Sequence, residues 1–345
     1  SYDSKYCKKR SMISPLAYIH PEAQIGNHVT IEPFAMVHKD TVIGDRTWIG
    51  SHACILDGAR IGKNCKIFQG AVISGVPQDL KFAGADGFIK FALGENVKQS
   101  NWESYSRFPQ TRMGVEQLYI DYFSRAKAYD TKKKRGKPYR KDTEMEVLAE
   151  ILNKKRFISC HSYIQSEINM LMKVAEKFDF NINTFTHILE GYKVADKMKA
   201  HGVGASTFSD WWAYKYEVND AIPYNASILN TMGVITAINS DDAEMSRRLN
   251  QEAAKAVKYG GTSEEDAWKM VTLNPAKLLH IDDKVGSIKV GKNADLVLWS
   301  AHPLSIYAKA EKTIIEGVTY FDIDRDEKLR AAIQKERNEL ILMML

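Results

Sequence analysis

The fold of the first part of the chain is decided by residues 25–49, which read IGNHVTIEPFAMVHKDTVIGDRTWI. An isoleucine or valine returns at every sixth position, and the pattern continues in both directions without a miss. A period of six fits neither an α-helix nor a simple amphipathic strand, but it is the period of a β-solenoid, in which each hexad forms one face of a coil. The members of this ladder are Ile13, Ile19, Ile25, Ile31, Val37, Ile43, Ile49, Ile55, Ile61, Ile67 and Ile73.

A second repeated position lies four residues after each ladder residue and is mostly small. Small side chains fit where a coil turns its corner, and a glycine directly after a ladder residue tolerates tight backbone. We therefore predict a solenoid over residues 13–83, preceded by an extended or disordered leader at 1–12. The small positions are Ala17, Ala23, Val29, Ala35, Thr41, Thr47, Ala53, Ala59, Cys65 and Ala71.

This segment resembles the left-handed parallel β-helix of hexapeptide acyltransferases. The sequences MISPLAYIHPEAQIG (12–26) and PQDLKFAG (77–84) are similar to the start of the UDP-N-acetylglucosamine O-acyltransferases of lipid A synthesis. The resemblance implies a homotrimer formed through the β-helix and a substrate-binding role for Asp79 and Lys81. The family's general-base histidine lies in later coils that this chain lacks. We expect the early histidines to be surface residues of coil turns; they are His20, His28, His38 and His52.

From about residue 84 the spacing changes to strands alternating with helices, which predicts parallel βα units and part of a (β/α)8 barrel. We predict a partial barrel over 84–280, return strands of a small β-sandwich over 281–325 and a C-terminal helix over 326–345. Strands are predicted over 87–92, 156–160, 181–186, 202–205 and 231–238. Helices are predicted over 114–128, 141–154, 167–178 and 192–201, and a further helix begins at a capping box formed by Thr262 and Glu265.

Residues able to bind a metal stand at the ends of these predicted strands. Lys90 lies at the carboxyl side of one strand, and His161, His187 and Asp241 closely follow others. The carboxyl ends of the strands form the catalytic face of an α/β barrel. One such histidine is usually structural, but two on successive strands with a later aspartate predict a site for zinc or a similar divalent ion.

The second part resembles the amidohydrolase superfamily, in its imidazolonepropionase-like and prolidase-like branch. The motifs are GADGFIK (84–90), ISCHS (158–162), FTHILEG (185–191), INSDD (238–242) and VGSIKVGKNADLVLW (285–299). The resemblance implies that Lys90, carbamylated in many members, is a metal ligand together with His161 and His187. It makes Asp241 both a metal ligand and the general base, with Asp242 as the alternative if the alignment is shifted by one residue.

One departure from the family is large. No H-x-H pair occurs in the 345 residues, and the first three barrel strands are replaced by the solenoid. We therefore predict an impaired metal-dependent hydrolase of C–N bonds in a cyclic amide or peptide-like small molecule, with one metal site at most. Two alternatives stay open: a truncated acyltransferase of lipid A synthesis, and a non-enzymatic trimeric scaffold or inert recombinant fusion. The near-copies LKFAG (80–84) and IKFALG (89–94) favour a junction made by recombination or mis-joining.

The bulk composition narrows the remaining function classes. The net charge is +5, and residues 132–141, where seven of ten are basic, are interpreted as a solvated loop, so no nucleic-acid partner is expected. The four cysteines show neither metal-ligand spacing nor a disulfide framework, which favours a reducing compartment. No stretch is apolar enough for a signal peptide or a membrane span, so we expect a cytoplasmic protein.

Overall fold

A computed structural model of the chain describes residues 12–56, 58–68, 71–73, 85–99, 108–136 and 138–344. The chain divides into two compact units, Ser1–Gly84 and Ala85–Leu345. We call the first the solenoid unit and the second the α/β unit. The predicted substrate-binding residues Asp79 and Lys81 lie outside the described residues, as do most of the predicted leader and the junction.

The solenoid unit consists of strands of two residues, and each strand ends on a ladder residue. Where the structure describes the residues between strands, short turns separate them, so that a hexad supplies one strand and one corner. The strands are β1 (Met12–Ile13), β2 (Tyr18–Ile19), β3 (Gln24–Ile25), β4 (Thr30–Ile31), β5 (Met36–Val37), β6 (Val42–Ile43), β7 (Trp48–Ile49), β8 (Cys54–Ile55), β9 (Arg60–Ile61), β10 (Lys66–Ile67) and β11 (Val72–Ile73).

Every third strand pairs in parallel, which makes three sheets with the orders β1-β4-β7-β10, β2-β5-β8-β11 and β3-β6-β9. The paired ladder residues stand three hexads apart in the sequence, as in Ile13 with Ile31 and Ile31 with Ile49. Three hexads therefore make one turn of a three-faced coil, and each hexad forms one face, as the period of six predicts. The left-handed rise implied by the resemblance stays a prediction.

Both repeated positions point into the coil. Ile31, Ile49 and Ile55 are at most 1% exposed, and the small residues directly before the strands, such as Ala35 and Ala53, are equally buried. The burial weakens in the first coil, where Ile13 is 42% exposed.

Some corners require a backbone conformation with positive φ, which most residues avoid. His28 and His52 occupy corner positions with φ of 57° and 59°, so they are turn residues as expected. Gly44 marks a close approach of two coils, because a Cβ on it would lie 2.7 Å from the carbonyl carbon of Gly62. A side chain at Gly44 would therefore push the coils apart.

The α/β unit is built on a parallel sheet of five strands in the order β12-β13-β14-β15-β16. Helices connect the strands, as expected for βα units. The strands are β12 (Gly87–Ala92), β13 (Arg156–His161), β14 (Thr184–Thr186), β15 (Gly204–Thr207) and β16 (Thr236–Ile238). The helices are α1 (Glu95–Gln99), α2 (Arg112–Lys134), α3 (Thr143–Leu152), α4 (Gln165–Phe178), α5 (Ala195–His201), α6 (Asn225–Thr231), α7 (Leu249–Gly260), α8 (Glu264–Lys269) and α9 (Leu273–Leu278).

The main core of the α/β unit lies between the helices and one face of this sheet. Phe123 of α2 is fully buried, with its ring centroid 4.5 Å from that of Phe180 and 5.7 Å from that of Phe178. Ile158 and Cys160 of β13 and Phe185 of β14 point into the same core. Because side chains alternate along a strand, the residues between them face the opposite side of the sheet. We call that side the interior face.

The chain ends with an antiparallel sheet and a helix. The sheet has the order β17-β18-β19, formed by β17 (Leu296–Trp299), β18 (Ala310–Ile315) and β19 (Val318–Asp322). Helix α10 (Ile323–Met344) follows at once and buries none of its described residues. The helix therefore begins three residues before the predicted start, and its side chains remain at the surface.

Several local predictions were wrong. Thr231 ends helix α6, and the strand predicted over 231–238 is confined to Thr236–Ile238. The strand predicted over 202–205 is Gly204–Thr207, because Gly202 ends α5 in a left-handed conformation. Helix α8 is capped by Ser263, whose side chain accepts a hydrogen bond from Asp266 N, and not by Thr262.

The basic run also differs from the prediction. Lys132, Lys133 and Lys134 form the last turn of α2, where cations interact favourably with the helix dipole. The helix thus extends into the predicted loop, and the described residues that follow it in the run are non-helical. Among the residues that the structure describes, no helix is both long and apolar enough to cross a membrane.

Candidate metal and hydrolase site

The interior face carries one row of polar residues near the carboxyl ends of the strands. The parallel register aligns His161 of β13 with Thr186 of β14, and Thr186 with Ser206 of β15. His187 follows β14 directly, and Asp241 comes three residues after β16. The structure therefore gathers at one edge of the sheet three of the four residues predicted for the metal site.

Lys90, the fourth predicted metal ligand, lies on the interior face of β12. It stands inside β12, aligned with Ser159, which is one row before His161. Its side chain is exposed, because β12 is the outer strand of the five-stranded sheet within the described residues. Lys90 is close enough to lower the pKa of His161 and of His187 through its charge.

The two histidines form the buried part of the site. Their ring centroids are 4.9 Å apart, and His161 and His187 are only 5% and 6% exposed. Burial, and then the neighbouring positive charges, lower the pKa of His161 to about 4. Burial also lowers the pKa of His187, against the opposing effect of Asp241. Both imidazoles are therefore neutral at pH 7, which is the form that binds a metal ion or accepts a proton.

Asp241 faces this pair from the solvent side. Its Oδ2 atom is 3.7 Å from Nε2 of His187, and its side chain is 55% exposed. Asp242, the alternative candidate, is engaged elsewhere, since its carboxylate accepts hydrogen bonds from the amides of Glu244 and Met245, at 2.9 Å each. The chain fold thus directs Asp241, and not its neighbour, toward the histidines.

His187 is held by residues that the sequence analysis left without a role. Its Nδ1 atom is 2.9 Å from the Nδ2 atom of Asn239, and the Oδ1 atom of Asn239 is 2.9 Å from the hydroxyl of Ser206. The ring of Phe208 stacks on the imidazole with a centroid distance of 4.8 Å. The backbone of His187 has a φ of 59°, an uncommon conformation that the surrounding contacts must hold in place.

Aromatic side chains cover one side of the histidine pair. We call Tyr163, Phe208, Trp211 and Tyr214 the aromatic wall. Tyr163 meets the ring of His161 edge-on at 4.7 Å, and its hydroxyl is 3.3 Å from that of Tyr214. Burial raises the pKa of the Tyr163 phenol, so the phenol stays protonated. Lys215 places its ammonium 4.4 Å from the Tyr163 ring centroid.

The positions of these additional residues relative to the strand ends could have identified them. Tyr163 lies just beyond His161, which is the last residue of β13, and Asn239 is the first residue after β16. Ser206 lies on the interior face in the same row as His161. Residues at or just beyond strand ends are candidates in such a sheet whether or not they are ionisable.

The donor set can be tested against a metal ion. A tetrahedral zinc site with bonds of about 2.0–2.1 Å places its ligand atoms roughly 3.3 Å apart, close to the 3.7 Å between His187 and Asp241. The Thr186 hydroxyl, in the same row, is buried without a hydrogen-bond partner among the described residues. However, in the part of the chain that the structure describes, no three His, Cys, Asp or Glu side chains are arranged around a common metal position. The chemistry fits a divalent ion, while the ligand shell is incomplete.

Comparisons with known proteins define two classes within the chain. Residues 157–320 match the amidohydrolase family, and residues 40–75 match the bacterial transferase hexapeptide repeats. Both resemblances stated from the sequence are therefore confirmed. The parallel sheet of the α/β unit accordingly fits part of an amidohydrolase barrel.

The relatives confirm the same division. The amidohydrolase tasK of Hapsidospora irregularis is 27% identical over 253 residues, which are 68% of this chain and 26% of that protein. A solved amidohydrolase from Thermotoga maritima is 34% identical, with a TM-score of 0.62 over 68% of this chain and 62% of that one. The acyl-[acyl-carrier-protein]–UDP-N-acetylglucosamine O-acyltransferase of Chlamydia pneumoniae is 37% identical over 86 residues, which are 25% of this chain and 30% of that protein. The chain thus spans only part of each relative.

Proposed function

We propose that the α/β unit is a metal-dependent hydrolase that cleaves a C–N bond in a cyclic amide or peptide-like small molecule. The observation that carries the proposal is the pair of buried, neutral histidines, His161 and His187, with Asp241 beside them. The match of residues 157–320 to the amidohydrolase family supports the same chemistry.

The residues divide into three roles. His161 and His187 would hold a divalent ion, zinc being the first candidate, and Asp241 and a carbamylated Lys90 would be further ligands. The chemistry that such an ion supplies is polarisation of a carbonyl group and acidification of water. Asp241 would accept the proton of the attacking water at Oδ2 and return it to the departing nitrogen, a role that fits a half-exposed carboxylate beside His187. The aromatic wall limits the access of further water to His161 and His187.

Two features support reduced activity. The sequence contains no H-x-H pair, so the two ligands that this pair supplies in the family are missing. Lys90 stands exposed on an outer strand, one row away from His161. A weakly held ion and slow turnover follow from both features.

The test is metal content together with hydrolysis. The full chain, purified without chelator and loaded with ZnCl₂, should retain about one equivalent of zinc by mass spectrometry, as expected for one ligand set. His187→Ala should lose more than the roughly 10–100-fold in affinity that loss of a ligand's hydrogen-bond partner costs. His302→Ala is the matched control, because that side chain is 56% exposed and lies outside the site. Equal zinc retention in His187→Ala and wild type would overturn the proposal, as would the absence of zinc-dependent cleavage across a panel of dipeptides and cyclic amides.

A second candidate function, self-association through the solenoid unit, is favoured by a surface of that unit. Leu16 and Phe34 occupy equivalent corners of successive coils, where the amide of Phe34 donates to the carbonyl of Leu16 at 3.1 Å, and Tyr18 and Met36 pair on the adjacent strands. All four are more than 40% exposed, so one side of the coil presents an apolar patch. We propose that the patch contributes to a homotrimer, as the hexapeptide resemblance implies. Light scattering should give three times the chain mass of 39.1 kDa, and Phe34→Lys with Met36→Lys should give the mass of one chain.

A further inference from the structure

The contacts of His187 form a chain of three polar side chains from different parts of the sheet. His187 follows β14, Ser206 belongs to β15, and Asn239 follows β16. Nδ1 of His187 and Nδ2 of Asn239 are 2.9 Å apart, and Oδ1 of Asn239 and Oγ of Ser206 are also 2.9 Å apart. Both distances are those of good hydrogen bonds.

The backbone around these three linked residues is held by hydrogen bonds on both sides. The amide of Asn239 donates to the carbonyl of Thr207 at 3.0 Å, and the amide of Ile188 donates to the carbonyl of Ser206 at 3.2 Å. Phe208 stacks on the imidazole and restricts rotation of the ring. With ring and backbone restrained, the side-chain amide of Asn239 can still exchange its nitrogen and oxygen by turning about its terminal torsion.

The two orientations of this amide demand different forms of His187. If the amide nitrogen faces Nδ1, it donates, so the neutral ring carries its proton on Nε2. If the amide oxygen faces Nδ1, it accepts, so the proton lies on Nδ1 and the lone pair of Nε2 is free. Ser206 accommodates both, because a hydroxyl donates to the oxygen in the first case and accepts from the nitrogen in the second.

We propose that Ser206 and Asn239 are positioning residues that select the tautomer of His187, and that the Asn239 amide reverses when a metal ion binds at Nε2. In the structure the amide nitrogen faces Nδ1, which is the orientation that keeps a proton on Nε2. A ligating histidine needs an unprotonated nitrogen, and its other nitrogen donates to a fixed acceptor. The metal-linked half of this inference rests on the proposed function, whereas the tautomer selection does not.

Substitutions separate the two orientations. Asn239→Asp offers only acceptor atoms, so Nδ1 of His187 should be protonated even without metal. Asn239→Leu has a similar volume but offers neither donor nor acceptor, so His187 should become a mixture of its two neutral tautomers. Ser206→Ala is a milder change that removes only the anchor of the amide and should also give a mixture. Asn219→Asp is the matched control, because Asn219 is exposed and its side chain bonds only to Asp220 among the contacts described.

The readout is the pair of ¹⁵N shifts of His187 in protein labelled with ¹⁵N-histidine, at pH 8, more than a unit above the ordinary imidazole pKa of about 6.5. A His187→Gln sample assigns the signals. His201 is an internal reference, because its Nε2 accepts from the amide of Ile182 and its Nδ1 lies 3.2 Å from Glu176. Its signals should be the same in every variant, and near-ultraviolet dichroism checks that each variant is folded.

The expected result has two parts. Without metal, wild type and Asn219→Asp should show Nε2–H, and Asn239→Asp should show Nδ1–H. With Zn²⁺, wild type should change to the Nδ1–H pattern, and Asn239→Leu should bind Zn²⁺ roughly 10–100-fold more weakly.

Identical His187 shifts in metal-free wild type, Asn239→Asp and Ser206→Ala would overturn the inference, whatever the metal does. Zinc bound by wild type with no change of tautomer would overturn the amide reversal alone. Failure of wild type to bind Zn²⁺ at all would instead count against the proposed function, while the comparison of metal-free variants would still decide the tautomer selection.

Discussion

The two units of this chain stabilise parallel strands in different ways. In the solenoid unit each strand has two residues, and each ladder side chain meets its equivalents in the neighbouring coils. In the α/β unit the strands have three to six residues, and helices cover one face of the sheet. The first arrangement repeats one contact many times. The second depends on individual large side chains, such as Phe123, whose contacts are not repeated elsewhere in the described part of the unit.

The difference affects how far a local change spreads. Each coil of a solenoid contacts only its neighbours, so its stability is close to a sum over coils. The core of the α/β unit joins residues from α2, β13, β14 and the residues after α4 in one cluster. We therefore expect a substitution in the solenoid unit to loosen a coil and its neighbours, and one in the α/β core to destabilise the whole unit.

The largest expected effect is in the core of the α/β unit. Phe123→Ala should lower the free energy of unfolding by about 3–5 kcal/mol, because it removes a fully buried ring that contacts Phe178 and Phe180. Chemical denaturation would measure it, and peptides from α2 to β16 should lose hydrogen-exchange protection together. Tyr216→Ala is the control, since Tyr216 is 90% exposed. Loss of protection limited to α2 would contradict a single cooperative core.

A somewhat smaller and more local effect is expected in the solenoid unit. Ile49→Ala removes a fully buried ladder residue and should cost about 2–4 kcal/mol, within the usual range for such deletions. Ile13→Ala should cost less than half as much, because Ile13 is 42% exposed. Hydrogen exchange should increase in the coils next to residue 49 and stay unchanged in the α/β unit. Equal costs at the two positions would show that the ladder does not behave coil by coil.

Acid should weaken the α/β unit through His161. Its pKa falls to about 4 in the folded state, below the ordinary 6.5, so the unfolded chain binds the proton more readily. The corresponding stability is complete above about pH 6.5 and is lost as the pH falls toward 4, with an upper limit of about 3 kcal/mol. Unfolding of the metal-free protein, measured with a chelator present, should show this slope. His161→Asn should reduce the slope to the part that comes from His187, whose pKa is also lowered. A pH profile unaffected by His161→Asn would rule out His161 as its source.

The smallest expected effect concerns the aromatic wall. Lys255 pairs with Asp210 at 2.6 Å and with the buried Glu252 at 2.9 Å, next to the segment that carries Phe208 and Trp211. Lys255→Met leaves the two carboxylates without their cation and should cost about 1–2 kcal/mol, less than for a fully buried pair because Lys255 is partly exposed. Lys269→Met, in a more exposed pair of the same kind, should cost at most about 1 kcal/mol. Tryptophan fluorescence should shift only in the first variant, and a shift of equal size in both would argue against the link to Trp211.

The sequence predicts the solenoid unit better than the α/β unit, for a physical reason. A ladder residue meets its own equivalents, so any whole number of hexads per turn places one ladder residue opposite another, as Ile31 stands opposite Ile49. The strands of the α/β unit meet different segments, and the position of a helix end is decided by local capping. Thr231 and Thr262 were assigned wrongly because tertiary packing and the Ser263 cap outweighed the local pattern.

In the candidate site, too, the features set by a regular pattern could be predicted, and those set by individual contacts could not. Strand ends predicted the places of His161, His187 and Asp241, since parallel strands bring their carboxyl ends to one edge. Lys90 lies on the same face of the sheet as His161 but one row earlier, because it pairs with Ser159 and stands two residues before the end of β12. Asn239 and Ser206 were missed because hydrogen bonding between uncharged side chains leaves no distinctive spacing in a single sequence.

The pairing of strands three hexads apart has a consequence for how such a segment changes during evolution. Removal or duplication of one complete coil leaves every remaining ladder residue opposite another ladder residue, as Ile31 stands opposite Ile49. A change of one or two hexads keeps the ladder in the sequence but rotates all later strands onto a different face of the coil. Solenoid segments of this kind should therefore differ in length by whole coils when the face they present to a partner is under selection.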